Sequence, residues 1–279
     1  MQPSFQIRSA ETGALQHNEC TLIIDAGERH FSFVLYSSAG NEFVALEYYQ
    51  FNAKQKQEQL KELLSSHTLL QLDYPAIHVY YNSASSLMVP ERFYDEDTSS
   101  RMLELVAGDM HMSMPLADEI NSLNMRNIYA VPPFLHETLV SQFPNAVFEH
   151  IHTGLLRKNM LLQRKDDRIE IVFYPELIIA VAWKNNTLQI IQCFSYETPE
   201  DVSYHVVNLS NQWNIDRGQV RVIVSGLIEM DSGLFAAVDK YFQFVETDER
   251  PDQFNYDAAF NQYPAHFFSP LFSLGICVL

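Results

Sequence analysis

Leu22 to Phe33, LIIDAGERHFSF, is the stretch on which the fold is read. An unbroken apolar run ends in Asp25-Ala26-Gly27, and an alternating strand pattern resumes at Phe31. Two physical readings compete for the tripeptide. It is either a loop that offers backbone N–H groups to a phosphate, or a plain hairpin turn between two strands. The sequence on either side has to decide between them.

Working outward, Phe31, Phe33 and Leu35 alternate along a second strand, Ser37-Ser38-Ala39-Gly40 marks a turn, and NEFVALEYYQF continues as a third strand. AKQKQEQLKELLSSH reads as a helix, Tyr74-Pro75 ends it, and AIHVYYN reads as a buried strand. The same order recurs from Arg168. IEIVFY turns at Pro175-Glu176 into LIIAVAW, Lys184-Asn185-Asn186-Thr187 turns into LQIIQCFSY, and VRVIVSG closes the unit. Between the last two, Thr198-Pro199-Glu200-Asp201 opens a helix with Thr as cap, Pro at the first position and acids in the first turn. Aligning the copies sets Glu28 against Glu176, Phe51 against Tyr196 and Tyr81 against Ser225. A repeated β-β-β-α-β unit implies an α/β protein of two lobes, 1–150 and 151–279, rather than a solenoid of short repeats. Two strand-then-helix passages, NIYAVP with PFLHETLVSQF and AVFEHIH with TGLLRKNMLLQRK, fill the interval.

The chain has 279 residues, 47% hydrophobic and 19% charged, with a formal net charge of −17. That is long enough for a substantial core, and the acidity argues against nucleic acid or an anionic membrane as partner. Three well-separated cysteines, an N-terminus without a signal-peptide pattern, and no apolar run near the roughly 20 residues that span a bilayer lead to an expected cytoplasmic setting without membrane insertion.

LIIDAGERHFSFVLY, LMVPERF, YAVPPFL, FPNAVFEHIHTGLL and HFFSPLFSLGIC together resemble the uncharacterised bacterial family of unknown function numbered 3822. The doubled unit is similar to the actin-like ATPase and ribonuclease H-like superfamily, and in layout to the actin-like proteins of type IV pilus and type II secretion assemblies. The resemblance implies a mixed sheet in each lobe, its first three strands antiparallel and its faces flanked by helices. It also implies Mg-nucleotide binding through three short motifs. Of the first, Asp25 and Gly27 match, but Glu28 stands where a hydroxyl residue belongs. Two like unit charges about 4 Å apart repel by ~4 kcal/mol at an effective dielectric of about 20. Of the second, Phe173-Tyr174-Pro175-Glu176 supplies neither carboxylate nor glycine, and Pro175 has no N–H. Of the third, Val224-Ser225-Gly226-Leu227 keeps one glycine, leaving Ser225 and Gly226 as adenosine-flanking positions.

These positions read as vestiges of a nucleotide site. The expected function is a non-catalytic protein-binding or scaffolding module, its partner another protein or a second copy, with no catalytic residue, metal or cofactor assigned. The alternative is an active Mg-ATP-dependent ATPase or kinase with Asp25 holding the cation. A ribonuclease H-like nuclease lacks both a carboxylate set and a basic footprint. No Walker A, GxGxxG or GxSxG sequence occurs. His150 and His152 read as ordinary strand histidines, Glu91 to Asp97 as an exposed acidic loop, and the Met-rich stretch 109–114 as gap filling or a greasy contact.

Overall fold

The computed structural model describes residues 1–9, 17–108 and 113–278, so residues 109–112 of the Met-rich stretch lie outside the described residues. Contacts divide the chain into two units. One comprises Met1–Lys158, Asp252–Gln262 and Leu274–Leu279, and the other Asn159–Pro251 and Tyr263–Ser273. The sequence reading drew a single line at 150/151, whereas the contacts assign C-terminal segments to each unit.

In the first unit β1 (Phe5–Arg8) precedes the hairpin strands β2 (Cys20–Gly27), β3 (His30–Ser37) and β4 (Glu42–Gln50). Helix α1 (Lys56–Ser66) leads to β5 (Ala76–Asn82). Then come β6 (Ser86–Pro90), α2 (Glu96–Ala107), β7 (Met114–Ile120) and β8 (Met125–Val131), followed by α3 (Pro133–Gln142), β9 (Val147–His150) and α4 (Ile151–Leu162). The main sheet runs β1-β4-β3-β2-β5-β9, with β2 antiparallel to β3 and parallel to β5. β2 is therefore central, and Leu22, Ile23 and Ile24 are all fully buried. A strand covered on both faces reads as an unbroken apolar run, which is why LII does not alternate. Strands β6, β8 and β7 form a separate three-stranded sheet that the sequence reading did not anticipate.

The second unit holds β10 (Arg168–Phe173), β11 (Leu177–Lys184), β12 (Thr187–Ser195), α5 (Pro199–Gln212), β13 (Arg221–Gly226), α6 (Gly233–Asp239) and β14 (Phe244–Thr247). Its sheet order is β12-β11-β10-β13-β14. This matches β4-β3-β2-β5-β9 in order and in strand direction, the mixed sheet with an antiparallel first half that the family resemblance implied. Residues Asn255–Tyr256 (β15) add to β4 of the first unit, and α7 (Ser269–Val278) ends the chain.

Local chemistry fixes these boundaries. Asn185 and Asn186 both take positive φ, 50° and 59°, in the two-residue turn between β11 and β12, a conformation asparagine tolerates. Residues Glu91–Phe93 form a 3-10 turn, and Asp95 caps α2 by accepting from Asp97 N at 3.0 Å. The acidic cluster is thus a helix start rather than a loop, because carboxylates satisfy and complement the free N–H groups there. Thr198 and Asp201 form a full capping box on α5, with Pro199 in the first turn. Both tryptophans, Trp183 and Trp213, belong to the second unit, so their fluorescence follows that unit alone. Thr198→Ala is expected to lower the second unit's unfolding free energy by about 1 kcal/mol, read as a lower urea midpoint of tryptophan fluorescence.

Candidate functional site

β2, β5 and β9 are parallel neighbours, and their carboxyl ends place Gly27, Asn82 and His150 side by side. This edge is where ligands of open α/β sheets are bound. Asp25 lies just inside it, 4% exposed. Its Oδ1 is 3.0 Å from His30 Nε2 and accepts a hydrogen bond from Asn82 Nδ2 at 3.1 Å. His30, the first residue of β3, is itself buried and stacks on Tyr48 with ring planes 4° apart and centroids 5.8 Å apart. A Cβ on Gly27 would meet His30 Cε1 at 2.5 Å. The glycine is what lets the imidazole lie across the turn and reach Asp25. Glu28 stands outside this pocket, about half exposed, in an ion pair with Lys56 at the start of α1.

The corresponding turn of the second unit is built from different groups. The last paired residues are Ala26 with Phe31 in the first hairpin and Phe173 with Ile178 in the second. In the parallel ladders Ala26 pairs with Tyr81 and Phe173 with Gly226. The sequence alignment is therefore corrected by one residue: Val172, not Phe173, stands in the place of Asp25. The correction leaves no carboxylate there, for Val172 and Phe173 are both buried. Tyr174 N donates to Leu177 O at 2.9 Å, and Tyr196 Oη donates to Tyr174 O at 2.7 Å, so the turn is closed by a backbone bond and strapped by a side chain from beyond β12. Ser225 is buried on β13, its Oγ 3.5 Å from Ile171 O. Gly226 has φ +84°, and a Cβ there would lie 2.2 Å from Phe173 O. Asp25, Gly27 and Glu28 thus share one turn of the first unit, while Ser225 and Gly226 belong to the second.

A second polar cluster adjoins Asp25 within the first unit. Ser83, next to Asn82, accepts through its carbonyl from His150 Nε2 at 3.0 Å, and His150 Nδ1 accepts from His152 N at 3.1 Å. These two bonds fix His150 as the neutral Nε2–H tautomer. His152 Nδ1 meets Ser86 Oγ at 3.1 Å, and Ser86 donates to Asn127 Oδ1 at 2.6 Å. Asp118 accepts from His150 N at 2.7 Å, Thr153 Oγ1 at 2.6 Å and Tyr129 Oη at 2.9 Å. His152 lies in the first turn of α4, so the two histidines do not alternate along one strand as expected from the sequence. Among the described residues, no group of three or more His, Cys, Asp and Glu side chains is placed to hold a metal ion.

Burial pushes the Asp118 carboxyl up to about 6 despite its three donors, and pushes His150 down to about 4. His152 is driven well below its usual value by burial and then by His150. His30, Asn82, Asp118 and Thr153 went unread in the sequence, and His150 and His152 were read only as strand histidines. The one available signal was polarity at the ends of apolar strands, as in the Asn that closes AIHVYYN.

The sheet order, the mixed strand directions and the repeated unit are those of the actin-like ATPase fold. Solved structures agree. A protein of that fold and unknown function from Bacteroides thetaiotaomicron VPI-5482 superimposes with a TM-score of 0.75 at 15% identity, over 84% of this chain and 92% of its own. The PilM-PilN type IV pilus biogenesis complex matches with a TM-score of 0.57 at 9% identity, over 92% of this chain and 98% of its own. The chain belongs to the family of proteins of unknown function DUF3822, whose sequence model matches residues 10–245. No curated protein matches it.

Two measurements test this geometry. Gly226→Ala places a methyl group against backbone at a positive φ, and is expected to cost the second unit about 3 kcal/mol or more in tryptophan-monitored urea unfolding. The buried cluster makes stability depend on pH. His150 and His152, held neutral by the fold, lose stabilisation as pH falls below the unfolded value near 6.5. Asp118, held protonated up to about 6, gains stabilisation as pH falls from there toward 3.8. Asp118→Asn removes the opposing gain. Its unfolding free energy should therefore fall more steeply than wild type between pH 6 and 4, by up to one proton or about 1.4 kcal/mol per pH unit. Urea unfolding followed by far-UV circular dichroism reads the slope, and an unchanged slope contradicts the assignment.

Proposed function

We propose that this protein is a non-catalytic member of the actin-like ATPase fold whose nucleotide positions are degenerate, and that it works in the cytoplasm by binding another protein. The observation that carries the reading is the pairing of buried Asp25 with His30 and Asn82. A magnesium-bound nucleotide needs that carboxylate facing a hydrated cation, with N–H groups around it for phosphate. The imidazole fills the place beside Gly27 from which the carboxylate would be approached. The second hairpin offers Val172 and Pro175 in place of a carboxylate and an N–H donor. These residues do not fit Mg-ATP. Each missing charge-assisted hydrogen bond removes roughly 1.5–3 kcal/mol, so losing several weakens binding by orders of magnitude.

The repeated sheet is read as an internal duplication whose turns diverged after their ligand was lost. Support for a protein partner is fold-level: PilM, a structural neighbour, was solved in a complex with PilN. No helix among the described residues is long and apolar enough to cross a membrane. Isothermal titration of the whole chain with Mg-ATP and Mg-ADP tests the reading. The expected result is no binding at millimolar nucleotide, and a Kd below about 10 µM would overturn it in favour of a working ATPase or kinase.

A further inference from the structure

The sheet of the second unit ends on β12, and among the described residues no strand lies along its outer side. The equivalent edge of the first unit is closed. β1 pairs antiparallel with Ala45–Tyr48 of β4, and β15 pairs parallel with Glu42 and Phe43. Exposed edges are usually kept short, or are blunted with lysine, proline or an inward-pointing charge, because an open row of N–H and C=O groups recruits another strand. β12 is nine residues long and reads TLQIIQCFS, with no charged residue and no proline. Its one irregularity is near the start, where Ala182 pairs with Ile190 and Trp183 with Leu188, leaving Gln189 as the extra residue. From Ile190 to Ser195 the ladder is regular.

We propose that this edge docks an extended segment of a different protein, which adds antiparallel to β12 as a further strand and is basic at its N-terminal end. The proposal rests on the protein-binding reading and names what the partner presents. Antiparallel addition is what β1 already does on β4. An aromatic ledge lies beside the edge: Phe194 of β12 stacks on His205 of α5 at 4.6 Å, and Tyr204, 68% exposed, adjoins His205. That ledge suits apolar side chains at alternate positions of an incoming strand. Charge sets the polarity. Exposed Glu176, Glu197 and Glu200 gather at the carboxyl end of β12, whereas Lys184 to Ser195 contains no Asp or Glu. An antiparallel segment lays its N-terminal end against those acids. A second copy is the poorer occupant, since each chain carries −17 and two such chains repel.

The probe is a labelled synthetic peptide, KKVTVTVT, added to the full chain and compared with EEVTVTVT. Hydrogen exchange should show residues 190–195 protected by the basic peptide, with the acidic peptide binding at least about tenfold more weakly. Gln192→Lys, at an exposed position of the edge, should weaken the basic peptide about tenfold while tryptophan-monitored unfolding stays unchanged. The proposal is overturned by no protection of β12, by equal binding of the two peptides, or by β12 protection that grows with protein concentration in a dimer without peptide. The nucleotide titration does not enter these outcomes, so tight Mg-ATP binding would sink the degenerate-site reading and leave this one standing.

Discussion

The first strand of each repeat hydrogen-bonds on both sides, antiparallel to the strand that follows it and parallel to the strand after the helix. Such a strand is covered on both faces, so the residues that lead into the reversal are apolar, Leu22 to Ile24 in β2 and Ile171 to Phe173 in β10. The reversal falls at the carboxyl end of a parallel neighbour, in a place already dry. Whatever polar group stands there must be satisfied by protein or by a ligand. In the first unit that group is Asp25, and protein satisfies it through His30 and Asn82. In the second unit the problem is removed, because Val172 and Phe173 bring no polar side chain.

The two turns therefore close by different means on the same backbone. At the first, an imidazole crosses the turn and needs Gly27 beneath it. At the second, the phenol of Tyr196 reaches across to the Tyr174 carbonyl, and Gly226 lets β13 come within contact of Phe173. Each glycine thus has a reason to be glycine that involves no phosphate.

Much of this fold was legible because its signals are local. Asn185-Asn186 announced a tight turn, Thr198-Pro199-Glu200-Asp201 announced the start of α5, and the apolar run LII announced a strand. The shared order of the two sheets followed from reading the same elements twice. What stayed hidden depends on partners distant in sequence. Asp118 finds its donors on β8, β9 and α4, and β1 and β15 reach β4 from near the two ends of the chain. The alignment slipped by one residue because it matched Glu28 with Glu176, whereas the ladders are set by their last pairs, Ala26 with Phe31 and Phe173 with Ile178. Asp25 itself was readable as a site position, but the imidazole five residues on was not readable as its partner.

The edges separate the two units as clearly as the turns do. Glu47 of β4 is fully buried, and Arg8 of β1 donates to it at 2.6 Å. Burial pushes that carboxyl up, but donors from His67, Tyr49 and Arg8 outweigh it and hold the group at about 2. A strand that carries one donor of a buried carboxylate leaves only by stripping that donor from it, which holds β1 on its edge. β12 has no buried charge of its own to retain a strand in the same way, since it has no charged residue at all. A strand added there would be held by backbone hydrogen bonds and side-chain packing, contacts that form and break without stranding an ion. The difference between the two edges follows from where a single glutamate was placed, on β4 and not on β12.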